Sequence, residues 1–259
     1  MAAPPATPLP GARAAQGHQN IAQAYLADPT GRYAHFVLGA DYEAASLVVV
    51  LKDGRTVKLT LPPDEVFEDR TPRLADLNGD GTDEIVLVRS SLRSGSSLVV
   101  IAERAGRLAI IAETPGTGAP KRWLNPAGIA DFDGDGRLDI GYVQQPHVLG
   151  LLKIVTLSEG TLREIASFPG VSNHAAGSNQ QGLAAVADFN GDGAADLAIP
   201  SFDRQSLVFL SFRDGPHVLK RVPLQGPATS DFKLIRDGEQ PAVSVGLSGG
   251  RRQMVPFTP

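Results

Sequence analysis

The chain has 259 residues, 42% of them hydrophobic, enough to fill one large domain or two small ones. Its 28 glycines and 20 prolines, near a fifth of the chain, exceed the roughly 12% of average usage and favour many short elements joined by tight turns over a helical bundle or coiled coil. A formal net charge of −4 argues against nucleic-acid binding, and the lack of cysteine excludes disulfides, a thiolate nucleophile and Cys-bound zinc or iron–sulfur clusters.

Residues 1–17 (MAAPPATPLPGARAAQG) are Ala/Pro-rich without an apolar block and read as a flexible lead-in, the remainder after a removed export signal. No run approaches the ~18 apolar residues of a membrane helix. From residue 18 on the pattern is one of strands. YLADPTGRYAHFVLGADYEAASLVVVL (25–51) and SLVVVLKDGRTVKLTL (46–61) read as a strand followed by a hairpin, with His35 on an inner strand as a core or channel residue. Then come three copies of one unit, ADLNGDGTDEIVLV (75–88), ADFDGDGRLDIGYV (130–143) and ADFNGDGAADLAIP (187–200), starting 55 and 57 residues apart. Hairpins lie between and after them at 97–111, 151–168 and 206–224. The last segment, 230–257, is a weakened copy with a short turn in place of the acidic loop. A strand before each loop, a strand after it and a hairpin make four antiparallel strands per ~50 residues, the content of one propeller blade. The expectation is therefore an all-β fold, a β-propeller of five four-stranded blades forming a single domain over 18–259. The last blade is one strand short, and the N-terminal segment is expected to supply that strand.

Counted from the first aspartate, oxygen-bearing side chains fall at positions 1, 3, 5 and 9 of each acidic loop. They are Asp76, Asn78, Asp80 and Glu84; Asp131, Asp133, Asp135 and Asp139; and Asp188, Asn190, Asp192 and Asp196. Position 7 (Thr82, Arg137, Ala194) varies, as expected where only the backbone carbonyl is a ligand, and Gly81, Gly136 and Gly193 at position 6 allow the sharp turn. Four side chains, one carbonyl and water supply the roughly six to eight hard oxygens that calcium takes, so about three Ca2+ sites of mainly structural role are expected. An EF-hand needs a bidentate Glu at position 12, where this chain has Leu87, Tyr142 and Ile199 inside apolar runs.

These A-D-[LF]-[DN]-G-D-G copies resemble the FG-GAP/VCBS repeat family, the calcium-loop propellers that include the integrin α-subunit head and many secreted bacterial proteins. The resemblance covers about residues 20–257. It implies a propeller with calcium between the first two strands of a blade, in the periplasm or outside the cell. Ile199-Pro200-Ser201 stands where a GAP-like triplet would lie, and the copy number is below the seven common in the family, so the integrin ligand site is not carried over.

In such a topology the acidic loops and the tight hairpin turns share one face, and the longer loops 114–128, 144–150, 169–182 and 201–205 share the other. Arg122, Trp123, His147 and His174 are the candidate ligand residues on that second face, joined by Lys121, Asn173, Gln180 and Arg204. There is no G-x-S-x-G, phosphate loop or H-E-x-x-H, and no catalytic residue stands out. The reading is a monomeric binding module for a protein or cell-surface glycan, without a membrane span. The alternatives are a lectin proper and a polysaccharide-processing enzyme on the same scaffold.

Overall fold

The computed structural model describes residues 6–237 and 240–258. They form an all-β fold of antiparallel sheets with a single 3-10 turn, Ser248–Gly250, and no α-helix. Among the described residues no helix is long and apolar enough to cross a membrane. Two compact units are present, one up to Trp123 with Ser158–Leu162, the other Leu124–Leu157 with the residues from Arg163 on.

In the first unit the strands are β1 (Ala15–Gln16), β2 (Ile21–Thr30), β3 (Glu43–Leu51), β4 (Thr56–Thr60), β5 (Glu65–Phe67), β6 (Arg73–Ala75), β7 (Glu84–Ser91), β8 (Gly95–Arg104) and β9 (Arg107–Glu113). The hairpins expected at 46–61 and 97–111 form as β3–β4 and β8–β9. Strand roles follow composition. The apolar runs of β3 and β8 are buried on both faces, whereas TVKLT in β4 alternates, turning Val57 and Leu59 inward. Leu26, Leu47, Val49, Phe67, Ile85, Leu87, Val99 and Ile101 fill the core, each side chain worth roughly 1.5–3 kcal/mol when fully buried.

Two features depart from the sequence reading. The strands of this unit are one sheet rather than separate blades, because β5 pairs with β7 (Glu65↔Ser91 to Phe67↔Arg89) and touches β3 at Ala44↔Phe67. The segment expected to be a flexible lead-in is packed from residue 6 on, while residues 1–5 lie outside the described residues. Leu9 is buried in the core and donates to the Leu26 carbonyl, Arg13 donates to the Arg70 carbonyl, and β1 pairs with β2. One apolar side chain and a few backbone hydrogen bonds anchor a stretch whose composition is that of a linker. The same contacts place residues 8–16 against β2.

Apart from Ser158–Leu162 at a hairpin turn, the second unit holds three meanders. They are β10 (Leu124–Ala130), β11 (Asp139–Gln144), β12 (Leu151–Ser158) and β13 (Thr161–Pro169); β14 (Ala185–Ala187), β15 (Asp196–Pro200), β16 (Ser206–Ser211) and β17 (His217–Pro223); and β18 (Ala228–Asp237), β19 (Gln240–Leu247) and β20 (Arg252–Pro256). The first two sheets have four strands in sequence order and the third has three, as the weakened last copy predicts. Residues 238–239, in the short turn of that copy, lie outside the described residues. Phe189, Phe209 and Phe257 pack edge to face and tilted, with centroids 4.9–5.9 Å apart.

Candidate metal centres and ligand face

Each acidic loop runs from the end of one strand into the start of the next, β6 to β7, β10 to β11 and β14 to β15. Leu87, Tyr142 and Ile199 sit within those second strands, which leaves no room for an EF-hand helix. The backbone turns twice through the left-handed region, at Gly79, Gly134 and Gly191 (φ 74–79°) and at Gly81, Gly136 and Gly193 (φ 81–90°). This winding points several amides at the first aspartate. Asp131 Oδ1 accepts from Gly134 and Asp135 (2.8 and 3.1 Å) and its Oδ2 from Gly136 (2.8 Å). Asp188 and Asp76 are held in the same way.

The fifth and ninth positions diverge electrostatically. Asp80, Asp135 and Asp192 lie at the exposed rim and have lowered pKa values. The largest causes are the hydrogen bond from the Thr82 hydroxyl, the Arg137 guanidinium, and the Ala194 backbone N–H. Glu84, Asp139 and Asp196 open their strands and are fully buried, and burial raises their pKa values, that of Asp139 to about 6. One oxygen of each accepts a backbone amide, from Leu77, Phe132 and Phe189 respectively. The other oxygen of Asp139 and of Asp196 is buried beside the hydroxyls of Thr156 and Ser211 respectively, without a hydrogen bond of standard geometry.

A buried, unpartnered carboxylate oxygen beside further carboxylates is the donor environment a hard cation satisfies. Asp131, Asp133 and Asp139 each offer an oxygen, all within 4.8 Å of one another, and can hold a metal ion. Loops 76–84 and 188–196 differ at position 3. There Asn78 Nδ2 donates to Asp80 and Glu84 (3.1 and 2.9 Å), and Asn190 Nδ2 donates to Asp192 (2.9 Å). Arg213 reaches the carbonyl of Asp192 and lies 3.7 Å from its carboxylate. Asp83, which the sequence reading passed over, is buried at position 8 of the first loop. It accepts from the amides of His18, Gln19 and Ile21, fixing the N-terminal segment against the loop.

Of the candidate ligand residues, Arg122 and Trp123 belong to the first unit, His147 and His174 to the second. Arg122 is exposed, whereas Trp123 is 2% exposed and its Nε1 donates to the Glu68 carbonyl (2.9 Å). His174 is buried. Its Nε2 lies 2.9 Å from the Ser178 carbonyl and its Nδ1 2.9 Å from His147 Nε2. Burial, with His147 adding, lowers the His174 pKa to about 3, so it is a neutral anchor for the half-buried His147. The buried positions of Trp123, Asn173 and His174 correct the expectation of a surface built from them, because each finds polar partners in the interior.

His35 lies outside the strands, in the irregular stretch between β2 and β3, contrary to its expected place on an inner strand. Its Nδ1 is 2.6 Å from Glu68 Oε1, and Glu68 Oε2 accepts from Ser90 (2.6 Å). Glu68 is buried, which raises its pKa. The charged pair within FEDR (67–70) is the only sequence signal for this network.

An FG-GAP-like repeat model matches residues 76–142, spanning the first two acidic loops. No curated protein sequence matches the chain. Among solved structures, the V. cholerae biofilm matrix protein Bap1 is similar at 16% identity and TM-score 0.53, over 89% of this chain and 32% of that one. The exotype rhamnogalacturonan lyase YesX is similar at 14% identity and TM-score 0.51, over 96% and 58%. The rhamnogalacturonan lyase YesW is similar at 13% identity and TM-score 0.51, over 95% and 60%. These likenesses are of fold, and the chain spans from a third to three-fifths of the length of those proteins.

Proposed function

We propose that the chain is a calcium-stabilised, five-bladed β-propeller that works in the periplasm or outside the cell as a monomeric, non-catalytic module binding a protein or cell-surface glycan. The observation that carries it is the recurrence in three loops of one arrangement, an aspartate caging the turn amides and a buried carboxylate opening the next strand. Calcium would be held by the side-chain oxygens at positions 1, 3, 5 and 9 and the carbonyls of Thr82, Arg137 and Ala194, and would supply the positive charge that the loop carboxylates lack. The fold likeness to a biofilm matrix protein supports a place outside the cytosol. A second reading, a polysaccharide-processing enzyme, draws on the likeness to two lyases and on the His35–Glu68 pair. The test is a glycan array probed in calcium and in chelator. Binding only in calcium supports a calcium-ordered ligand site, and binding without glycan turnover separates a module from an enzyme. No binding in either condition removes the glycan class.

A further inference from the structure

The first unit contains a second built site, away from the acidic loops, around His35. Ala34 (φ 54°) and Phe36 (φ 57°) bracket it, both in the left-handed region that non-glycine residues rarely adopt. The strained turn is held by a buried carboxylate. Glu43 Oε1 accepts from the amides of His35 and Phe36 (3.1 and 3.3 Å), while Glu43 Oε2 is buried without a partner. A second buried carboxylate, Glu68, fixes the ring through Nδ1. The side chain keeps 18% of its exposure, and Nε2 is the ring nitrogen with no partner among the described residues. Tyr33, buried with its ring edge-on to His35 at 6.1 Å, accepts from the Lys121 amide at 2.7 Å. Lys121 is also left-handed (φ 60°), and two residues further on Trp123 donates to the Glu68 carbonyl.

The 121–123 segment is thereby clamped beside the His35 turn. It leaves two exposed cations, Lys121 and Arg122, whose side chains have no acidic partner among the described residues. Phe36, 39% exposed, adds an aromatic surface. In a chain of net charge −4, two unpaired cations on a segment tied to Tyr33 and Glu68, the neighbours of an oriented imidazole, and an exposed ring in the same turn complement a ligand bearing both carboxylates and apolar sugar faces. We propose that this corner binds a carboxylate-bearing polysaccharide, with Lys121 and Arg122 pairing its carboxylates, Phe36 meeting a sugar face and His35 Nε2 bonding a hydroxyl. The inference rests on the glycan-binding reading above and names its ligand class and site.

Titration calorimetry of the full chain tests it, with polygalacturonate, its methyl ester and poly-L-glutamate as probes. Polygalacturonate is expected to bind, losing about tenfold in affinity as salt rises to about 0.3 M, and the ester and the polypeptide about tenfold less tightly. The double substitution Lys121→Gln/Arg122→Gln, confined to exposed side chains, is expected to cost about tenfold with an unchanged melting temperature. His35→Gln adds a several-fold loss. Should that variant unfold, the double variant and Phe36→Ala decide. Equal binding of the ester or of poly-L-glutamate, or unchanged affinity in the double variant, overturns the site while array-positive glycan binding leaves the broader reading standing. Failure of every glycan on the array removes both.

Discussion

The middle acidic loop, 131–139, and its two counterparts share a backbone but answer their own negative charge differently. At position 3 the flanking loops carry an amide, and Asn78 and Asn190 donate across the loop to neighbouring carboxylates. Asp133 cannot donate, so the middle loop gathers four carboxylates. Its ion-paired counter-charge is Arg137, bound to Asp135 at the exposed rim (2.5–2.9 Å), and the Arg213 side chain passes beside Gly134. One atom pair, amide nitrogen against carboxylate oxygen, separates two loops whose charge is partly answered from within from one that carries a fourth carboxylate. The middle loop is therefore the one expected to bind calcium most tightly.

The most severe test removes the cation from all three loops. Each site held at about a hundredfold above its dissociation constant contributes about 2.7 kcal/mol, so chelation is expected to lower the melting temperature by roughly 5–10 °C per occupied site. A melting curve that is the same in calcium and in chelator would break the comparison outright. Next in size is Asp133→Ala, expected to cost about 2–3 kcal/mol in calcium and little in chelator, where it removes a repelling charge. Asp133→Asn should convert the loop to the flanking type, lowering calcium affinity while raising the melting temperature of the chelated protein. An equal loss for Asn78→Ala and Asp133→Ala in calcium would erase the distinction.

Asp139 supplies a pH test in chelator. Its folded pKa of about 6 lies above the unfolded value near 4, so the native state binds the extra proton in between. Its contribution is full below pH ~4 and is lost as pH rises through ~6, about 2–3 kcal/mol in all. His174 acts with the opposite sign, since a depressed imidazole pKa stabilises above pH ~6.5 and loses that stability toward pH ~3. The difference between parent and Asp139→Asn therefore isolates the carboxylate, and a flat difference between pH 4 and 6 would contradict its burial. The smallest effect belongs to Arg137→Gln. The ion pair is solvent-exposed, so no change in melting temperature is expected, only a modest gain in calcium affinity as Asp135 is released.

The loops and hairpins were legible because their signals are local. Glycine at positions 4 and 6 sets the turn, alternation in TVKLT sets an outer strand, and the shortened last copy shows as a three-stranded sheet. Only the second of those glycines entered the sequence argument, although Gly79, Gly134 and Gly191 are left-handed too. What escaped is non-local. The three residues of β5 carry no periodicity, and their joining of β3 to β7 depends on where those strands lie. Leu9 is one apolar side chain in a linker-like stretch. Trp123 reads as a surface anchor in a Gly/Pro-rich loop until the carbonyl of Glu68, 55 residues away, takes its indole N–H. The His35 network has the same character, since Glu43 and Glu68 reach that turn, and Lys121 reaches Tyr33, only after the strands pair.

The neighbouring carboxylates Asp83 and Glu84 face different tasks. Glu84 closes the first acidic loop, and Asp83 grips the amides of His18, Gln19 and Ile21. The segment around residues 18–21 is thus leashed to the rim of an acidic turn. Loosening that turn loosens the leash, and the peptide bonds between residues 6 and 17 should become protease-sensitive when calcium is withdrawn. A cleavage band on a gel would then report the occupancy of one loop among three.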